Sequence, residues 1–122
     1  MRLYSAEYRR THPRAAAEQS ARWKAAHPKE FKQGLRKVHL KRTYGITPEE
    51  YTALLLSQNG RCAICRADGP GRGHQNFCVD HDHQTGEVRG LLCHKCNRAI
   101  GLLGDAPETV QAAYEYLSKK RN

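Results

Sequence analysis

Long apolar runs are absent from this sequence. No stretch approaches the roughly 18 consecutive apolar residues that read as a membrane-spanning helix, and the N-terminal run MRLYSAEYRR has no apolar centre of the kind that a secretory signal carries. Hydrophobic residues make up 39% of the chain, and the mean hydropathy is -0.82. We therefore expect no membrane association, a cytoplasmic location, and a small core that needs reinforcement beyond hydrophobic packing.

Acidic residues are scarce in the N-terminal third of the chain. Residues 1–45 hold 12 Lys and Arg against 3 Asp and Glu, whereas residues 46–122 hold 9 of each, so the whole net charge of +9 lies in the first segment. A localised basic segment is typical of a protein that binds a polyanion, usually nucleic acid. A solvated tail that only aids solubility is the alternative. We favour nucleic acid, because the balanced remainder needs no such tail.

Residues 1–44 are predicted to form a basic, helical DNA-binding arm. Residues 15–26 and 30–41 have helical composition, and each segment follows a His-Pro step, where proline suits the first turn of a helix. The two segments form a weak internal repeat. Apolar residues are too sparse for either helix to bury a wide face, so we expect the arm to become firmer on DNA. The candidate DNA contacts in the arm are Arg36, Lys37, Lys41 and Arg42.

Residues 45–122 are predicted to form a separate, small α+β domain. Its expected elements are a helix after Thr47, a Gly-rich loop over 66–76, strands over 77–81 and 87–92, a short helix over 97–103 and a last helix after Pro107. Thr47 and Asp105 are each expected to cap a helix, because a glutamate follows three residues later in both cases.

Four of the five cysteines stand in two Cys-x-x-Cys pairs. Cys62 and Cys65 form the first pair, Cys93 and Cys96 form the second, and 27 residues separate the pairs. Each pair presents two thiolates to one ion, and zinc prefers four such ligands in a tetrahedron, so we predict a closed, structural Zn2+ site. Redox dithiols or disulfides are the alternative, which the missing secretory signal and the missing thioredoxin-like βαβ pattern disfavour. Cys78 is interpreted as a small filler residue.

Between the two cysteine pairs lies the run Asp80-His81-Asp82-His83. Neighbouring strand residues point to opposite faces, so Asp80 and His81 can face one point only where the strand ends or bends. A carboxylate and an amide oxygen suit Mg2+, and a histidine that titrates near neutrality suits a general base. A polar turn that only closes the hairpin is the alternative. Asn97, directly after the second cysteine pair, is by itself an ordinary helix cap.

The order, spacing and identity of these motifs resemble the phage recombination endonuclease VII family, which belongs to the HNH, or ββα-metal, nucleases. The resemblance covers about residues 44–118 and is carried by Cys62-Ala-Ile-Cys65, by residues 79–83 and by residues 86–97. It implies a ββα-metal core beside the four-cysteine zinc site. It also implies a phage protein that acts in the cytoplasm of the host cell.

The resemblance further implies a role for each matching residue. Asp80 and Asn97 would hold one Mg2+ or Mn2+, His81 would be the general base that activates water, and His83 would lie near the scissile phosphate. The implied activity is metal-dependent DNA cleavage that leaves a 5'-phosphate and a 3'-hydroxyl, with branched or nicked DNA as candidate substrates. The family's type member has an acidic residue three positions after this asparagine, and this sequence has Ile100 at that position.

Two arginines flank the candidate centre, and two other functions remain open. Arg89 and Arg98 are candidate DNA contacts that could clamp phosphates bidentately, although each could equally be an ordinary surface residue. A catalytically silent zinc-ribbon DNA-binding module would use the same cysteines, but would not need Asp80, His81 and Asn97 together. A nuclease of the same fold that acts on RNA is the third alternative. The sequence leaves the oligomeric state open, a homodimer included.

Overall fold

The computed structural model describes residues 5–119, so the first four residues of the predicted arm and the last three of the predicted domain lie outside the described residues. The chain divides into two compact units, Met1–Thr43 and Tyr44–Asn122. The described elements, in chain order, are α1 (Ala6–Thr11), α2 (Pro13–Ala26), α3 (Pro28–Tyr44), α4 (Pro48–Ser57), β1 (Cys78–His81), β2 (Val88–Leu92), α5 (His94–Leu102) and α6 (Pro107–Leu117). The small α+β fold class is confirmed.

The first unit is helical, and its helices meet at two matching joints. Both predicted helices are confirmed, each starts two residues early, at its proline, and α1 is an additional short helix. At the first joint the backbone N–H of His12 donates to the carbonyl oxygen of Tyr8 at 2.8 Å, and the two rings stack. At the second joint the backbone N–H of His27 donates to the carbonyl oxygen of Trp23 at 2.9 Å, and these two rings also stack. The internal repeat is therefore an aromatic residue, three intervening residues, and His-Pro.

Hydrophobic burial contributes little to the first part of this unit. Neither α1 nor α2 contains a buried residue. Its contacts are local instead, such as the cation of Lys24 at 4.9 Å from the centre of the Phe31 ring. This matches the expectation that these helices cannot bury a wide face.

The second unit is built around an antiparallel hairpin. Both predicted strands are confirmed to within one residue at their starts. The register shifts at the end of β1, where Asp80 pairs with Gly90 and His81 pairs with Val88, so Arg89 is an extra residue in β2. A β-bulge of this kind bends the strand and re-aims a side chain. The bulge therefore bends β2 beside the Asp80-His81 pair, and β1 itself ends at His81, which is the strand end that this pair needs.

The two predicted capping boxes have different outcomes. The box at the start of α4 is confirmed, with the Thr47 hydroxyl accepting from the Glu50 N–H at 3.1 Å and the Glu50 carboxylate accepting from the Thr47 N–H at 3.3 Å. The box at Asp105 is wrong, because Ala106 is the N-cap residue of α6 and no side chain caps that helix. The Asp105 carboxylate instead accepts a hydrogen bond from Arg89 at 2.7 Å.

The core of the second unit lies between the hairpin and α4. Phe77, Val79 and Leu91 are buried there, and the buried Tyr51 hydroxyl donates to the Phe77 carbonyl oxygen at 3.3 Å. The side-chain amide of Gln58 donates to the Leu91 carbonyl oxygen and accepts from the Leu91 N–H, both at 2.9 Å. Gln58 thereby satisfies backbone groups of β2 that face away from β1.

Candidate functional site

The four paired cysteines converge on one point. Their sulfur atoms all lie within 4.8 Å of one another, and the Sγ atoms of Cys65 and Cys93 are 3.7 Å apart. Four sulfurs at the usual Zn–S distance of about 2.3 Å from a tetrahedral ion lie about 3.8 Å apart. The geometry therefore fits one metal ion, and a set of four thiols fits zinc best. Cys78 does not belong to this group.

Backbone N–H groups near the cysteines orient two of the thiols. The Ile64 N–H donates to Cys62 Sγ and the Cys96 N–H donates to Cys93 Sγ, both at 3.4 Å. Cys93 is also the N-cap residue of α5. The cluster thus joins the loop after α4 to the start of α5, with β1 and β2 between the two cysteine pairs.

The thiols of the cluster differ in acidity. Burial acts to raise the pKa of Cys62, but hydrogen bonds from the backbone N–H groups of Cys93, Cys65 and Ile64 outweigh it and lower the pKa to about 6. Burial and hydrogen bonds with the other three thiols raise the pKa of Cys96 to about 12. A metal ion that binds all four sulfurs must displace the Cys96 proton, so its binding releases protons and weakens in acid.

Asp80 is held by Arg89. The Arg89 Nε donates to Asp80 Oδ2 at 2.7 Å and Nη2 donates to Oδ1 at 2.9 Å, while the Asp80 side chain is 13% exposed. A carboxylate offers about four lone-pair positions, of which Arg89 uses two. The remaining positions fit a divalent cation chemically, but that cation would lie beside a guanidinium group.

His81 lies among other rings. Its ring centre is 4.7 Å from that of His83 and 5.4 Å from that of Tyr44, which it meets edge-on. His81 is half-buried and His83 is exposed. The contact with Tyr44, the last residue of α3, was missed by the sequence reasoning, because no spacing rule links a residue before the domain to the end of a strand.

Asn97 lies in α5, which contacts both strands of the hairpin. Cys93 caps this helix, so an N-cap role does not explain Asn97. Asn97 is half-buried and lines an open groove together with Lys95 and Arg98, both exposed, beside the stacked rings of His74 and His94. The structure therefore places the amide of Asn97 in a groove with two cationic side chains.

Arg89 has a second carboxylate partner. Its Nη2 donates to Asp105 Oδ1 at 2.7 Å, so it joins the end of the hairpin to the segment between α5 and α6. Hydrogen bonds with Asp80 and then Asp105 raise the pKa of Arg89 above its ordinary value. Ile100 lines a pocket with Arg89 and Asp105. No signal in the sequence predicted this network.

The candidate DNA contacts of the arm lie on α3. Lys37, Lys41 and Arg42 are exposed, and Arg36 is half-buried. No helix within residues 5–119 combines the length and the apolar character that a membrane span needs.

The sequence comparisons define the family. Residues 37–119 match the family model of recombination endonuclease VII, and the chain belongs to this family. It is 46% identical over 101 residues to the Gene 59 protein of Mycobacterium phage D29, which covers 78% of this chain and 59% of that protein. It is 49% identical over 77 residues to the Gene 59 protein of Mycobacterium phage L5, which covers 62% of this chain and 45% of that protein. The chain thus spans about half the length of these curated relatives, and no solved structure matches it.

Proposed function

We propose that this protein is a metal-dependent DNA endonuclease that hydrolyses phosphodiester bonds at an HNH, or ββα-metal, site. Membership of the recombination endonuclease VII family supports a nuclease. The observation that carries the proposal is the end of β1, where Asp80 and His81 lie opposite the bulge of β2, in a hairpin that stands between two cysteine pairs. Preorganisation of this kind matters, because small displacements of catalytic groups are costly in rate.

Asp80 and Asn97 are the proposed ligands of one Mg2+ or Mn2+. One carboxylate and one amide oxygen match the hard-ligand preference of Mg2+, which keeps several waters and takes few protein ligands. When bound, the ion would stabilise the charge that develops on the phosphate and on the leaving 3' oxygen. The four-cysteine site is the proposed zinc site, and its role would be structural, because four thiolates would leave no coordination position open.

His81 is the proposed general base. Its imidazole removes a proton from a water molecule, whose oxygen forms a bond to phosphorus while the bond from phosphorus to the 3' oxygen breaks. The 3' oxygen takes up a proton, so the products are a 5'-phosphate and a 3'-hydroxyl. Tyr44 restricts the orientation of the His81 ring through their edge-on contact. His83, exposed and in ring contact with His81, is the proposed neighbour of the scissile phosphate.

The arm is the proposed second DNA contact. Arg36, Lys37, Lys41 and Arg42 would neutralise phosphates along the duplex, and Arg98 would do so next to Asn97. Branched or nicked DNA is the proposed substrate, and the cytoplasm of a phage-infected host is the proposed location. The oligomeric state stays open, with a homodimer as one of the states to test.

A catalytically silent zinc-ribbon DNA-binding module is the second candidate. The observation that favours it is the bidentate pair of Arg89 with Asp80, which engages both oxygens of the proposed metal ligand. Such a module would bind DNA through the same basic residues but would not cleave it.

Cleavage of supercoiled plasmid and of a four-way DNA junction in Mg2+ or Mn2+ separates the two candidates. Wild type and His81→Ala would be compared with His74→Ala, a histidine of the same unit that stacks on His94 and not on His81. We expect cleavage by wild type and His74→Ala, and at least a 100-fold loss in His81→Ala. Zinc content and circular dichroism would show that all three are folded. DNA binding without cleavage of either substrate would favour the silent module.

A further inference from the structure

The bidentate ion pair of Arg89 and Asp80 is a specific geometry. Arg–carboxylate pairs with two parallel hydrogen bonds are among the stronger and more directional polar contacts in proteins. The Asp80 side chain is 13% exposed and that of Arg89 is 38% exposed, so the pair is partly withdrawn from water. Its charges therefore interact more strongly than two fully solvated side chains would.

The backbone on both sides brings Arg89 to this position. Arg89 is the extra residue of the β-bulge, opposite the junction of Asp80 and His81. On the other side Asp105 has a φ of 55°, in the left-handed region that residues other than glycine seldom adopt. From there its carboxylate accepts from the same Nη2 that contacts Asp80. The β-bulge at Arg89 and the left-handed conformation of Asp105 thus bring two carboxylates to one guanidinium group.

We propose that Arg89 is the resident counter-ion of Asp80 and that it competes with a divalent cation for this carboxylate. The proposal rests on the proposed function, because it takes Asp80 as a ligand of the catalytic ion. A guanidinium group and a divalent cation on one carboxylate repel each other, so binding of the ion weakens the bonds from Arg89. Asp105 keeps the guanidinium beside the site when Asp80 releases it.

The competition makes the affinity for the divalent cation depend on the charge at position 89. Removing one positive charge about 5 Å from a doubly charged ion, even at the dielectric constant of water, strengthens binding by about tenfold. Arg89→Gln and Arg89→Met both remove the charge, and Arg89→Met does so without adding an amide that could itself bind the ion. Arg89→Lys keeps the charge but loses the two-pronged geometry.

Titration of the zinc-loaded, full-length protein with Mn2+, followed by electron paramagnetic resonance, tests this proposal. We expect Arg89→Gln and Arg89→Met to bind Mn2+ about tenfold more tightly than wild type, and Arg89→Lys to stay within about threefold. The matched control, Arg72→Gln, removes an exposed charge from the loop between α4 and β1 and should change the affinity less than twofold. Asp80→Asn should lose the site. Zinc content would confirm that each variant is folded.

The outcomes separate this proposal from the proposed function. If Asp80→Asn loses Mn2+ but Arg89→Gln and Arg89→Met bind it no more tightly than wild type, the competition is overturned and the metal ligand stands. If neither wild type nor the Arg89 variants bind Mn2+, both proposals are overturned. Mn2+ binding that survives Asp80→Asn also overturns the competition, because the ion is then held elsewhere. Binding by the neutral variants alone supports it most strongly.

Discussion

The two units of this protein are ordered by different interactions. In Met1–Thr43 the joints between helices are local, with His12 stacked on Tyr8 and His27 stacked on Trp23. In Tyr44–Asn122 a hairpin, its buried core and a cluster of four thiols bring together residues far apart in the sequence. The basic charge also lies in the first segment, whereas the second is balanced. Metal removal should therefore affect only the second unit, and salt should chiefly affect the first.

Loss of a zinc ligand should have the largest effect. In Cys93→Ser we expect zinc to be lost and the second unit to unfold, because structural zinc contributes roughly 10–16 kcal/mol, which is as large as the whole stability of a typical domain, about 5–15 kcal/mol. Cys78→Ser, a thiol outside the cluster, is the matched control and should keep its zinc. Zinc analysis and thermal unfolding provide the measurement. A folded, zinc-free Cys93→Ser protein would contradict a structural role for the metal.

Acidification should have the second largest effect, and it should act on the second unit only. The pKa of Cys62 is lowered to about 6, so its contribution to stability is present above its ordinary value of 9.0 and is lost as the pH falls through about 6. Below that pH, zinc must displace one more proton than above it. We expect zinc release and loss of the second unit's near-ultraviolet circular dichroism on acidification. Zinc binding that does not steepen in its pH dependence below pH 6 would contradict this.

The charge of the arm should control the response to salt. Replacing Arg36, Lys37, Lys41 and Arg42 together by glutamine should make the slope of log K against log salt shallower by about 3 to 4, if each residue neutralises one phosphate. The second unit should keep its zinc and its unfolding temperature. Fluorescence anisotropy with a DNA duplex at several salt concentrations measures the slope. Arg72→Gln with Lys119→Gln removes two charges from the second unit and serves as the control, and an equal loss there would contradict a special role for the arm.

A single polar contact should have the smallest effect. Gln58→Ala leaves the N–H of Leu91 without its amide partner, while the Leu91 carbonyl oxygen keeps its hydrogen bond from the Ala63 N–H at 3.1 Å. The unpaired N–H should destabilise the second unit by about 1–3 kcal/mol. Gln111→Ala, an exposed amide on α6, is the control and should change stability by less than about 0.5 kcal/mol. Urea unfolding of the zinc-loaded protein measures both. Equal stability of the two variants would show that water replaces the Gln58 amide.

The contrast between Thr47 and Asp105 shows where sequence reasoning succeeds and fails. Both positions have a glutamate three residues later and a proline close behind them, and both were predicted to cap a helix. The prediction holds at Thr47, where the only partners needed lie within three residues. It fails at Asp105, because the Asp105 carboxylate accepts a hydrogen bond from Arg89, which is 16 residues away in the sequence.

The sequence by itself determined the features that depend on local spacing and composition. These are the two cysteine pairs, the hairpin between them, the cap of α4, the helix starts at the His-Pro steps and the division of charge along the chain. Only the tertiary structure decided that Arg89 joins Asp80 to Asp105 and that Tyr44 contacts His81. The physical reason is that these contacts depend on a one-residue bulge in β2 and on a left-handed residue after α5, and neither leaves a periodic pattern in the sequence.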